Sequence, residues 1–268
     1  IRGFSRLIEP LAPRMLRDGA GMGAAIRRKA LAAQVGVLLG YVGRKVLGQY
    51  DLFAEERDVL YFVGPNIVEV ERRFRFSPRD FRLWLCLHEV THRAQFDGVP
   101  WLRGYLTGHI ASYVRTMDLD ARQLAETVRR AIEEARRSDR WRGLGFLFLL
   151  MTEEQRELFR KMQALMSLLE GHANHVMART SPGNVRGAER MRRTLQRRRR
   201  GRPLDRAVQR TLGFEAKVRQ YDLGEAFCLR VEQLAGQEGL GRVWEGPENL
   251  PTLEEIGDPD AWVARVVR

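Results

Sequence analysis

Histidine is scarce in this sequence, five in 268 residues, yet His88 and His92 stand four apart with Glu89 directly after the first. On a helix, residues four apart share one face, so two imidazoles can reach a single ion. Zinc accepts two neutral imidazoles and a third protein ligand, and keeps one position for water. It also brings the pKa of that water down to about 7. Glu89, adjacent to the first histidine, is suited to accept the water's proton and pass it to a leaving group. The spacing therefore predicts metal-assisted hydrolysis, with His88 and His92 as ligands and Glu89 as general base.

A third ligand must come from elsewhere in the chain. The metzincin extension would need glycine and histidine where this sequence has Gln95 and Gly98, so that class is excluded. Glu170, in "SLLEGHANHVM", interrupts an otherwise apolar helix face. A carboxylate there would be costly to bury unless it were paired or bound to metal. His109 is the alternative, if the helix after the motif folds back. Asn174 lies about 40° round the helix from Glu170, one turn on, and is expected to hold a ligand histidine through its other ring nitrogen. His172 and His175 lie about 200° and 140° away and read as structural or rim residues. Donors for a developing oxyanion are drawn from Tyr105, His109, Tyr113, His172, His175 and Tyr221, among which the sequence makes no choice.

These residues need rigid elements to position them. Ser77 can cap a helix, Pro78 suits its first turn, and Asp80 completes a capping-box spacing, so the motif sits on a helix that ends at Gly98–Pro100. A further helix follows over "WLRGYLTGHIASYVRTM", and an amphipathic one over 119–138. Thr152 caps the helix that carries Glu170, with Gln155 three residues on. Its expected buried stripe is Leu158, Met162, Leu165, Met166, Leu169, Ala173 and Val176, and "SPGN" at 181–184 stops it. A helix is also predicted over 23–50. The β-rich runs "VLYFV" and "NIVEVE", separated by Gly64–Pro65, predict a strand pair at 58–70. Beyond 204 the pattern is helical again, and two short helices close the sequence, the second capped by Asp258.

Composition bounds the rest. With 44% hydrophobic and 30% charged residues the chain reads as globular. Two cysteines, Cys86 and Cys228, make no disulfide framework, fit a cytoplasmic protein, and are expected as small buried side chains. The apolar run at 30–43 is too short and glycine-rich to span a bilayer. The net charge is +12, and of 46 basic residues only Lys29, Lys45, Lys161 and Lys217 are lysines. The densest basic stretch, 186–206, has no interleaved aromatic on which a base could stack, so it reads as a solvated face or a mobile segment near 184–204. Nucleic acid is not the expected partner, and the oligomeric state is not specified.

Five blocks of the sequence then act together: "LYFVGPNIVEVERRF", "LWLCLHEVTHRAQFDGVPWLR", "LLEGHANHVM", "GFEAKVRQYDLGEAF" and "RVWEGPENLPTLEEIGDPDAWVARV". Their combination resembles the zincin-like metallopeptidase family common in actinobacteria and related bacteria, one branch of which is associated with deazaflavin-coenzyme biosynthesis. The resemblance spans roughly residues 20–268. It implies a mainly helical zincin-like fold, zinc on His88 and His92, a catalytic Glu89, and Glu170 as the glutamate of the family's E-G-H block. Glu170 follows His92 by 78 positions, far more than in thermolysin-like enzymes.

The resulting expectation is a mainly α (α+β) chain, read as one domain over 1–268, with a small β element before the motif helix. It would be a gluzincin-type zinc metallopeptidase acting on a peptide or another amide. The alternative is a non-catalytic zinc-binding or scaffold protein that keeps the fold.

Overall fold

The computed structural model of the chain describes residues 43, 46–51, 59–116, 151–199 and 215–268, the side chains of 199 and 215–222 excepted. Helices dominate the described residues, and the only sheet among them is a two-stranded one. In order along the chain stand β1 (Gly48–Tyr50), β2 (Leu60–Phe62), α1 (Gly64–Phe74), α2 (Pro78–Gly98) and α3 (Pro100–Thr116). Next come α4 (Glu153–Thr180), α5 (Ala188–Arg199) and α6 (Glu215–Gly241). Two 3₁₀ turns, Arg242–Trp244 and Pro247–Asn249, lead to α7 (Leu253–Gly257) and α8 (Pro259–Val266). The mainly helical fold with a small β element before the motif helix agrees with the expectation. The chain divides into two compact units, 1–90 and 91–268.

In the first unit β1 and β2 pair antiparallel, with Gly48 opposite Phe62 and Tyr50 opposite Leu60. This corrects the expected strand pair at 58–70, because "NIVEVE" is helical. Pro65 occupies the first turn of α1, where its missing N–H and fixed φ are harmless. Asn66, Ile67, Val70 and Glu71 are buried at helical spacing. That face outweighs the β preference of the branched side chains, a weak local bias that packing overrides. The helix ends at Arg75, whose φ of 51° turns the chain. The partner of β2 is "GQY", which falls inside the helix expected over 23–50. Strand pairing leaves no periodic mark in so short a segment.

Three contacts fix α2 within this unit. Ser77 Oγ accepts from Asp80 N–H at 3.5 Å, as the capping signal predicts. The buried Glu71 receives both Nε and Nη2 of Arg82, at 2.8 and 3.0 Å, a fork-to-carboxylate pair joining α1 to α2. Phe76 packs on Phe81 with ring centroids 5.2 Å apart.

The second unit is organised around α4. Its start is the predicted capping box: Thr152 accepts from Gln155 N–H, and the Gln155 side chain accepts from Thr152 N–H. Of the expected stripe, Leu165, Leu169 and Ala173 are buried, continued one turn on by Met177, and Ala164 and Leu168 add a second buried line beside it. A helix buried this widely packs against several neighbours, here α3, α6 and α7. The crossing with α6 is backbone to backbone. A β-carbon on Gly171 would lie 2.1 Å from the carbonyl carbon of Gly224, and one on Gly224 would lie 1.9 Å from Ser167 O.

Beside that crossing, Leu168, Phe227, Cys228, Val231, Val243, Ile256, Trp262 and others form the core that docks α7 and α8. Trp262 is fully buried and donates its indole N–H to Asn249 O at 2.8 Å. The two short C-terminal helices are as expected, with Asp258 Oδ1 accepting from Ala261 N–H at 3.3 Å. Helix α6 breaks at Gly236, whose φ of 71° is left-handed and suits a residue without a β-carbon. Where a solvated or mobile basic stretch is expected, Ala188–Arg199 forms α5, with Arg192 joined to Glu189 and Glu225. The amphipathic pattern at 119–138 lies outside the described residues. Among those residues, no helix is long and apolar enough to cross a membrane.

Candidate metal centre

Helix α2 presents His88 and His92 one turn apart, and His88, Glu89 and Gln95 are all buried. The ring of His88 lies parallel to that of Trp84, one turn earlier, with centroids 5.7 Å apart and planes 4° apart. A stacked indole restricts an imidazole to one plane, so the apolar face that shapes the helix also aims the first histidine. Glu89 has its carboxylate against β1: a β-carbon on Gly48 would lie 2.6 Å from Glu89 Oε1.

One ligand atom each from His88, His92 and Glu170 lies within 4.8 Å of the other two. His92 Nε2 stands 3.9 Å from Glu170 Oε1, too long for a hydrogen bond. Donors held about 2.0–2.2 Å from a tetrahedral ion lie roughly 3.4 Å apart, so the pair stands close to the spacing of two ligands on one metal. Two imidazoles and a carboxylate are also the donor set of a zinc site with a position left for water. The residues fit a zinc ion.

The remaining candidates separate clearly. His109 donates from Nδ1 to Tyr105 O at 2.8 Å and packs on the Tyr105 ring, so it belongs to α3 and not to the three-residue group. Burial raises the phenol pKa values of Tyr105 and Tyr113 on the same helix. His175 is buried and pairs with Glu232 at 3.1 Å, and Arg179 pairs with the same carboxylate, which makes His175 an anchor between α4 and α6. The side chain of Tyr221 lies outside the described residues.

Asn174 is buried on α4, but the bond to a ligand histidine expected of it is made by Gln95. Gln95 Oε1 lies 2.9 Å from His92 Nδ1, while its Nε2 lies 3.0 Å from Leu169 O and 3.0 Å from His172 Nδ1. His172 is thereby joined to the candidate centre through one amide, and it meets Trp244 edge-on at 5.1 Å. Burial, reinforced by the nearby His175 and His92, pushes the pKa of His172 down to about 4. Sequence reasoning used Gln95 only to exclude metzincins. Its place three residues after His92, on the same helix face, was the signal for a supporting role.

The chain belongs to the zincin-like metallopeptidase family, whose model matches residues 1–263. It is also similar to a solved structure from Chloroflexus aurantiacus, described as a candidate hydrolase with a novel fold. The two share 34% identity at a TM-score of 0.67, over 98% of this chain and 74% of that one. No curated protein gives a match.

Proposed function

We propose that this chain is a zinc-dependent hydrolase of the gluzincin type, cleaving peptide or other amide bonds. The observation that carries the reading is the convergence of His88, His92 and Glu170, with the buried Glu89 next to the first of them in sequence. Zinc held by those three side chains would supply a Lewis acid and make hydroxide accessible near neutral pH.

The chain's own residues account for the rest of the chemistry. Glu89 takes up a proton at its carboxylate from the attacking water and returns it to the departing amine, so it begins and ends the cycle ionised. Gly48 leaves room for that carboxylate beside β1. A main chain beside the general base also suggests how substrate is held. An extended peptide that adds to the β1–β2 sheet by main-chain hydrogen bonds would be read by backbone first and by side chains second. The metallopeptidase family and the hydrolase neighbour support the same class of reaction.

The reading is tested by incubating the zinc-loaded protein with a mixture of unstructured peptides and following new amino termini by mass spectrometry. Cleavage should disappear with a chelator, return with zinc, and fall at least 100-fold in Glu89→Gln while zinc stays bound. Cleavage that Glu89→Gln leaves unchanged would overturn the mechanism. Zinc binding without cleavage of any peptide would favour a non-catalytic zinc protein.

A further inference from the structure

We infer that Gln95 is a positioning residue that locks His92 as its Nδ1–H tautomer, so that Nε2 is the nitrogen presented to the metal. The inference rests on the hydrolase reading for its purpose, but its geometric basis is independent of any ion.

Leu169 O is a backbone carbonyl and can only accept, so the Gln95 amide atom 3.0 Å from it must be the NH₂ group. Were the amide turned over, two oxygens would face each other. Fixing the nitrogen fixes the oxygen, and Gln95 Oε1 is then the atom 2.9 Å from His92 Nδ1. An amide oxygen only accepts, so His92 must donate from Nδ1, which leaves the in-plane lone pair on Nε2. Nε2 is also the ring nitrogen found 3.9 Å from Glu170 Oε1.

The second amide hydrogen faces His172 Nδ1 at 3.0 Å, so that nitrogen accepts and the His172 proton sits on Nε2. Gln95 is 5% exposed, and its oxygen and both of its hydrogens are engaged by three partners. Two of those partners, Leu169 and His172, flank Glu170 in sequence. A single amide thus ties the orientation of one candidate ligand to the backbone segment that carries another. Partners of this kind fix the ring orientation and tautomer of metal-binding histidines, and losing one costs about 10–100-fold in metal affinity.

The tautomer can be read without metal. Long-range ¹H–¹⁵N NMR of the metal-free protein at about pH 8.5, where imidazoles are neutral, separates protonated from lone-pair nitrogens. The His92 signals are assigned with a His92→Ala variant. The expected result is a protonated Nδ1 on His92; a protonated Nε2 would overturn the inference, whatever the protein does with zinc.

Chelator competition on the Gln95→Leu variant, whose side chain can neither donate nor accept, gives the second measurement, with an expected loss of about 10–100-fold in zinc affinity. If wild type binds zinc through His88, His92 and Glu170 and Gln95→Leu matches its affinity, the inference fails while the hydrolase reading stands. If His92 has the expected tautomer but wild type takes up no zinc, the hydrolase reading fails and the tautomer lock stands. Should Gln95→Leu not fold, the wild-type spectrum alone decides.

Discussion

Gly48 and Glu89 are so close that a β-carbon on the glycine would lie 2.6 Å from the carboxylate oxygen Oε1 and 2.8 Å from the carboxylate carbon. A strand residue without a side chain thus sets how far the candidate general base extends. Gly48→Ala should push the flexible Glu89 carboxylate aside without touching His88 or His92. Turnover is expected to fall about tenfold or more, part of the 10²–10⁴ that general-base catalysis supplies, with zinc stoichiometry unchanged. Parallel measurement of peptide cleavage and metal content checks this, and an unchanged rate would show that Glu89 has slack the geometry denies.

The crossing of Gly171 and Gly224 predicts a different kind of damage. Either glycine replaced by alanine must move backbone, since the nearest atoms belong to main chain. Gly224→Ala should destabilise the protein by about 1–3 kcal/mol or more, the usual cost of overpacking. Because Glu170 precedes Gly171, the shift should also weaken zinc binding. Thermal unfolding of the metal-free variant and chelator competition measure the two effects separately.

The cysteines should differ sharply in reactivity. Cys228 is buried in the α6 core, and burial pushes its thiol up to about 12, so almost no thiolate forms at neutral pH. Cys86 is exposed on α2, which corrects the expectation of two buried thiols. A disulfide reagent at pH 8 should titrate one thiol in the native protein, none in Cys86→Ser, and both wild-type thiols after denaturation. Two fast thiols in the native state would contradict the burial of Cys228.

Much of the candidate site is legible in the sequence because its signals are local. His88, Glu89 and His92 fall within five residues, and the Ser77 and Thr152 caps announce the helices that carry them and Glu170. Glu170 could be named because an acid on an apolar helix face demands an explanation. What escaped was long-range or depended on shape. The pairing of "GQY" with "LYF" joins two three-residue segments, and "NIVEVE" reads as strand until its buried face is known. Cys86 sits among apolar residues on a helix whose other face is buried. Gln95 on α2 took the role expected of Asn174 on α4 because both carry a side-chain amide, and only the path of the Gln95 side chain to His92, Leu169 and His172 separates them. Gly48 carries no signal at all, since its contribution is an absence of atoms.

If His88, His92 and Glu170 hold one zinc ion, metal stoichiometry will show it. Purified protein should be stripped, reloaded with zinc, desalted and assayed by atomic emission, beside Glu170→Ala and His109→Ala. The expected result is one zinc per chain in wild type and in His109→Ala, and none retained in Glu170→Ala. A wild type that retains no zinc, or a Glu170→Ala variant that retains a full equivalent, would contradict it.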